Sequence, residues 1–140
     1  MIDSDWESKV KDLIRKAEKE DRRGNAAKSI EYYEKAGDLV PEPFEESPHA
    51  MQILSAIGEQ YYLRGDFEQA FDYYSQAVRA KGGLGWAPFH LRLGQLRYER
   101  GEMDRAKDEL MRAYMGSGEM IFTSEDPKYF ELIRDIVDKK

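Results

Sequence analysis

The chain contains one helical hairpin written twice. Between Ala50 and Ala113, Leu54-x-x-Ile57-Gly58-x-x-Tyr61, Gly65-Asp66-Phe67 and Ala70-x-x-x-Tyr74-x-x-Ala77 come first. They are followed in the same register by His90-x-x-Leu93-Gly94-x-x-Arg97, Gly101-Glu102-Met103 and Ala106-x-x-x-Leu110-x-x-Ala113. Gly58 and Gly94 fall inside stretches of helical periodicity, where glycine is about 1 kcal/mol worse than alanine. A second helix crossing too closely for a Cβ accounts for them. Ala70, Ala77, Ala106 and Ala113 are the small residues expected to accept that approach, with Tyr61, Tyr74, Leu93 and Leu110 filling the space beside it. Gly65 and Gly101 are placed to end each first helix in the left-handed conformation. Asp66 is then the expected N-cap of the second helix.

A weaker third copy precedes these two. Glu31-Tyr32-Tyr33-x-x-Ala36 echoes Asp72-Tyr73-Tyr74-x-x-Ala77, and Ser29, Tyr33 and Ala36 align with Ala70, Tyr74 and Ala77. The first helix of this copy departs from the pattern, with Lys16-Ala17 and Glu20 at the positions of the Gly pair and the Tyr. A bulky residue, a Leu-Gly pair, a Tyr, an Ala, a Phe and a closing proline at this spacing resemble the tetratricopeptide (TPR) repeat. Pro41 stands where the closing proline falls. The resemblance implies an all-α, TPR-like α-solenoid of three helix-turn-helix repeats plus a C-terminal capping helix, stacked in a right-handed superhelix.

The remaining chain can be placed on that plan as a single domain over residues 1–140. The repeats are expected at about 5–41, 48–82 and 87–116, and the capping helix at about 126–139. Ser4 and Glu7 suit a capping box that starts the first helix, whose apolar stripe is Trp6, Val10, Leu13, Ile14 and Ala17. The acidic, proline-rich segment Pro41 to Pro48 stretches the first interval to about 41 residues, and Ser47-Pro48 reads as an N-cap and first helical position. Lys81 to Trp86 is a glycine-rich loop with an apolar tip. Gly116-Ser117-Gly118 breaks the last hairpin, and Glu125-Asp126-Pro127 reads as the start of a final helix. That helix carries Phe130, Ile133, Ile136 and Val137 on one face, as a cap on the last apolar surface requires.

Composition narrows the partners. The net charge of −6 argues against nucleic acid or an anionic membrane. The absence of cysteine excludes disulfides and thiolate chemistry, and no apolar run reaches the length of a membrane span. The acidic N-terminus has no signal-like core, so a cytoplasmic location is expected. Catalysis is not expected, nor any cofactor or metal. The two histidines, His49 and His90, are too few for a zinc site, and His90 falls at a packing position. Gly82-Gly83-Leu84-Gly85 lacks the Lys and Ser/Thr of a phosphate-binding loop.

The resemblance to TPR proteins implies that the first helices line a partner-binding groove. On that reading the partner-binding residues are Glu18 in the first repeat, Gln52, Ser55, Glu59 and Tyr62 in the second, and Leu91, Arg92, Gln95 and Tyr98 in the third. Lys11 and Ile14 share the face of Glu18. Tyr62 and Tyr98 have equivalent positions and are either hot spots for a partner or packing residues. Some family members clamp acidic chaperone tails with Lys, Asn and Arg. Asn is missing from every groove position here, and Glu18 and Glu59 oppose a carboxylate.

The segment Gly116 to Phe122 with Glu125 to Phe130 also resembles the tails of small bacterial TPR proteins encoded beside polymorphic toxins. That resemblance implies an immunity protein that neutralises a cognate, basic toxin domain, reached with the help of electrostatic steering. An adaptor or co-chaperone holding a peptide in its groove is the alternative, and a scaffold that self-associates into a homo-oligomer through its end faces is the third.

Overall fold

The structure, a computed structural model, describes residues 2–139, with side chains described from Asp5 to Lys139. Among the described residues there are seven α-helices and no strand. They are α1 (Ile2–Arg22), α2 (Ala26–Leu39), α3 (Ala50–Leu63), α4 (Phe67–Arg79), α5 (Ala87–Glu99), α6 (Met103–Ser117) and α7 (Pro127–Asp138). Short 3₁₀ turns occupy Phe44–Glu46 and Glu119–Phe122. No helix among the described residues is long and apolar enough to cross a membrane. The chain divides into two compact units, Met1–Gly82 and Gly83–Lys140.

The first unit holds two hairpins, α1–α2 and α3–α4. The turn between their helices is the same in both. Gly24 and Gly65 adopt φ of +83° and +81°. The next amide in each turn reaches back to the last turn of the first helix, Asn25 N–H to Glu20 O and Asp66 N–H to Tyr61 O, both at 2.9 Å. This is the Schellman closure, in which a left-handed residue lets the chain satisfy carbonyls that the helix end leaves bare. Its presence between α1 and α2 shows that the weak first copy is a true hairpin. The core of the unit is built on Val10, Ile14, Ala17, Ile30, Tyr33, Ala36, Val40, Ile53 and Ile57, and Ser29 Oγ, fully buried, donates to Ala17 O at 2.9 Å. Across the two hairpins Gln60 Nε2 donates to Asp21 Oδ1 at 2.6 Å.

The second unit holds the α5–α6 hairpin, closed by Gly101 at φ +79° and by Glu102 N–H to Arg97 O at 3.0 Å. The 3₁₀ turn and α7 then fold onto it. Phe122, Tyr129, Phe130 and Ile133 join Leu91, Leu110 and Ala113 in one core, as a capping helix on an apolar repeat face should.

Gly58 and Gly94 mark close crossings. A Cβ on Gly94 would lie 2.6 Å from Leu110 Cδ2 and 3.1 Å from the Leu110 backbone nitrogen. One on Gly58 would lie 3.1 Å from the Tyr74 ring and 3.2 Å from Tyr73 Cβ.

Four local expectations are corrected. Asp66 stands at the N-cap of α4, but its side chain makes no capping bond; its φ, ψ of −87° and 76° lie outside the extended region that aims a capping oxygen at the first turn. The α3 N-cap is His49 rather than Ser47. Ser47 Oγ accepts from His49 N–H at 3.1 Å, which spends the hydroxyl on a local turn two residues early. Glu125 is not part of the α7 start, which Asp126 makes alone by accepting from Lys128 N–H at 3.0 Å. Ile136 is 45% exposed, because Ile133 and Val137 already fill the buried stripe. The Ser4 half of the proposed capping box lies outside the described residues, and Glu7 turns instead to His49 Nε2 at 2.8 Å.

Candidate partner-binding faces

The residues singled out from the sequence lie on α1, α3 and α5, and their surroundings differ. On α3, Gln52 is exposed, and Ser55, Glu59 and Tyr62 are half-buried. Ser55 Oγ donates to Gln52 O at 3.3 Å. Glu59 Oε1 accepts from the Tyr74 hydroxyl at 2.5 Å, so it braces α4 as well as charging the surface. The Tyr62 ring stacks on Phe67 with centroids 5.4 Å apart. On α1, Glu18 is half-buried, whereas Ile14, at 6% exposure, belongs to the core. Tyr33 feels Glu18: burial pushes its hydroxyl up to about 12, with Glu18 and then Asp21 adding to the effect. These residues of α1 and α3 in the first unit thus present two half-buried carboxylates, the exposed Lys11 and one aromatic ring.

On α5 two of the positions are covered, while Arg92 and Tyr98 are half-buried as Tyr62 is. Leu91 is 5% exposed and Gln95 is fully buried, so neither presents a side chain to a partner. Gln95 Nε2 donates to Glu125 Oε1 at 2.8 Å, and Arg92 donates to the same oxygen at 3.0 Å and to Gln95 Oε1 at 2.8 Å. Tyr98 meets Tyr129 edge to face at 5.2 Å, and Lys128 Nζ lies 5.2 Å from both ring centroids. The Tyr129 hydroxyl donates to Glu99 at 2.6 Å and Lys128 pairs with it at 2.9 Å. These two bonds hold the Glu99 carboxyl below its ordinary range, with the tyrosine the larger cause. Glu125, Lys128 and Tyr129 therefore decide what α5 can show, and sequence reading had assigned none of them that part. The only hint is that Glu125 is the acidic residue nearest the α7 cap that the cap does not need.

His90, 6% exposed, is a packing residue with both ring nitrogens engaged. Nδ1 lies 2.7 Å from Glu109 and Nε2 lies 2.6 Å from Leu84 O, which ties the glycine-rich loop to α5.

No family model matches the sequence, and no curated protein matches it. Solved structures do. The first TPR of Spaghetti (RPAP3) bound to an HSP90 peptide superposes with a TM-score of 0.66 at 17% identity, over 94% of this chain and 95% of that one. The Yersinia enterocolitica type III secretion chaperone SycD, in complex with a peptide of the translocator YopD, gives 0.68 at 14% identity over 94% and 95%. The fold is that of a TPR domain. BtubC from P. vanneervenii is 26% identical with a TM-score of 0.66, and this chain spans 53% of its length. The three hairpins and α7 thus have the fold of TPR repeats and a capping helix, and the mid-helix glycines that suggested the repeat lie at its close helix crossings.

Proposed function

We propose that this TPR domain is a non-catalytic protein-binding module that holds a segment of a partner protein against the α1 and α3 face. The observation that carries the reading is the contrast between faces. Gln52, Ser55, Glu59 and Tyr62 all keep exposed or half-exposed surface on α3, while on α5 Leu91 and Gln95 are buried and only Arg92 and Tyr98 stay half-buried. Two structural neighbours, RPAP3 and SycD, are seen with peptides bound, which supports a peptide as the occupant. Glu18 and Glu59 outnumber the exposed Lys11 on this face, so the fitting segment is basic or of mixed charge rather than an acidic tail. Attraction between such surfaces speeds encounter and rejects like-charged partners.

A toxin-neutralising role is the second reading. The net charge of −6 would favour a basic toxin domain. The Gly116 to Phe130 segment that suggests it is also accounted for by packing, since Phe122 and Phe130 belong to the core of the second unit. Co-purification from extracts of the source organism, with the wild-type chain beside Tyr62→Ala and Glu18→Lys variants, tests both. A stoichiometric partner lost in both variants supports binding at the α1 and α3 face, and its identity separates an adaptor from an immunity protein. A partner retained by both variants rejects that face.

A further inference from the structure

His90 is caught between two groups that can only accept. Nδ1 lies 2.7 Å from Glu109 Oε1 on α6, and Nε2 lies 2.6 Å from the Leu84 carbonyl oxygen in the glycine-rich loop. A neutral imidazole has one N–H and one bare nitrogen. In either tautomer the bare nitrogen would face an oxygen lone pair at hydrogen-bond distance. His90 is 6% exposed, so solvent does little to relieve that mismatch. Two protons satisfy both contacts, and of the two side chains imidazole is the more basic. The Glu109 carboxylate then balances the charge and offsets the positive end of α5, which starts one turn away.

Glu109 is the ring's one ionic contact among the described residues. On α6 the flanking Asp108 and Arg112 pair with each other at 3.4 Å, and Arg105 acts on Glu102. On α5, Arg92 and Arg97 are bonded to Glu125 and Glu102. The loop from Gly82 to Trp86 contains no charged residue.

The loop depends on this contact. Among the described residues, His90 supplies the side-chain hydrogen bond that Gly82 to Trp86 receive. Within the loop the backbone adds Trp86 N–H to Gly83 O at 3.0 Å. Leu84 is 67% exposed and Trp86 49%, so their side chains contribute little packing that would hold the loop in its place.

We infer that His90 is a proton-operated clasp: doubly protonated, it holds the glycine-rich loop to the α5–α6 hairpin, and loss of one proton releases the loop with its exposed Leu84 and Trp86. Because only the imidazolium donates on both sides, the hold is present at mildly acidic pH and is lost as pH rises and the ring deprotonates.

The test uses the ¹⁵N-labelled full chain over a pH series. The His90 ring nitrogens are expected to give the matched signals of an imidazolium at mildly acidic pH, and one bare nitrogen as pH rises. Protection of the Trp86 amide from exchange, corrected for the intrinsic rate, should fall by about tenfold or more across the same step. Glu109→Gln keeps an oxygen to accept from Nδ1–H but removes the charge, and should move both changes to lower pH together. His90→Gln should abolish the step at Trp86, while His49 titrates as in the wild type. The Glu109→Gln result keeps the test decisive even where His90→Gln perturbs the hairpin. A His90 ring that keeps one form across the series overturns the inference. So does Trp86 protection that does not follow the ring, or a midpoint that Glu109→Gln leaves unmoved.

Discussion

Tyr62 and Tyr98 occupy the same position in successive hairpins, one turn before the glycine that ends the helix, and they have different neighbours. Tyr62 stacks on Phe67, which is itself 36% exposed. Tyr98 lies against Tyr129, which is 6% exposed and belongs to the core of the second unit. Three positions earlier the same divergence recurs. Glu59 is half-buried and bonded to Tyr74, while Gln95 is fully buried and bonded to Glu125. A capping segment can thus bury a position in one repeat, Gln95, whose counterpart in the sister repeat, Glu59, stays half-exposed. Equal register does not mean equal role.

Removing the two aromatic partners should separate these roles most strongly. Tyr129→Ala takes out a buried ring and is expected to destabilise by about 3–5 kcal/mol. Phe67→Ala loses a half-exposed stacked pair and should lose only about 1 kcal/mol. Chemical denaturation of both variants gives the comparison, and equal losses would break it.

Glu125 is the next lever. Glu125→Ala leaves the buried Gln95 amide and Arg92 without that acceptor, at a loss of about 1–3 kcal/mol. Glu125→Gln keeps an acceptor and should lose less. Hydrogen exchange at the α5 amides should rise in the alanine variant first.

The glycine pair sharpens the comparison from inside the hairpins. In Gly94→Ala the new methyl meets Leu110, which is fully buried and offers its own backbone nitrogen at 3.1 Å. Overpacking of about 1–3 kcal/mol should exceed the gain of about 1 kcal/mol in helix propensity. In Gly58→Ala the nearest atoms, the Tyr74 ring and Tyr73 Cβ, stand at 3.1–3.2 Å, a milder approach than at Gly94, so the loss should be smaller than in Gly94→Ala. Thermal melts of the two variants rank them directly.

The smallest effect is in acid. Glu99 titrates below its ordinary range in the folded chain because it accepts from Tyr129 and pairs with Lys128. A depressed carboxylate stabilises the fold above its unfolded pKa, and that contribution disappears as pH falls through the folded one. Tyr129→Phe removes the larger cause, so the Glu99 side-chain carboxyl resonance should titrate at higher pH than in the wild type. The variant should also show a weaker loss of stability on acidification.

Much of this architecture can be read from the chain. Gly58, Gly94 and the alanines that face them report helix crossings, because only close backbone approach explains small residues at those spacings. The turn glycines report the hairpins for a similar reason, since φ near +80° is readily adopted only by glycine. The capping helix was visible in Asp126-Pro127 and in Phe130 and Ile133. The covering of α5 was not. It depends on Glu125 reaching Gln95 and Arg92, residues 30 and 33 positions away, and no local pattern encodes such a bond. Helix starts slipped for the same reason. Ser47 has the right chemistry for an N-cap, but its hydroxyl bonds a nearer amide.

The most direct test is to compare Tyr62→Ala with Tyr98→Ala in one experiment, measuring unfolding free energy and partner capture for each. The account predicts that Tyr62→Ala loses the partner while staying within about 1.5 kcal/mol of wild-type stability, and that Tyr98→Ala keeps the partner but is the less stable of the two. Partner capture lost only in Tyr98→Ala, or retained in Tyr62→Ala, would contradict it.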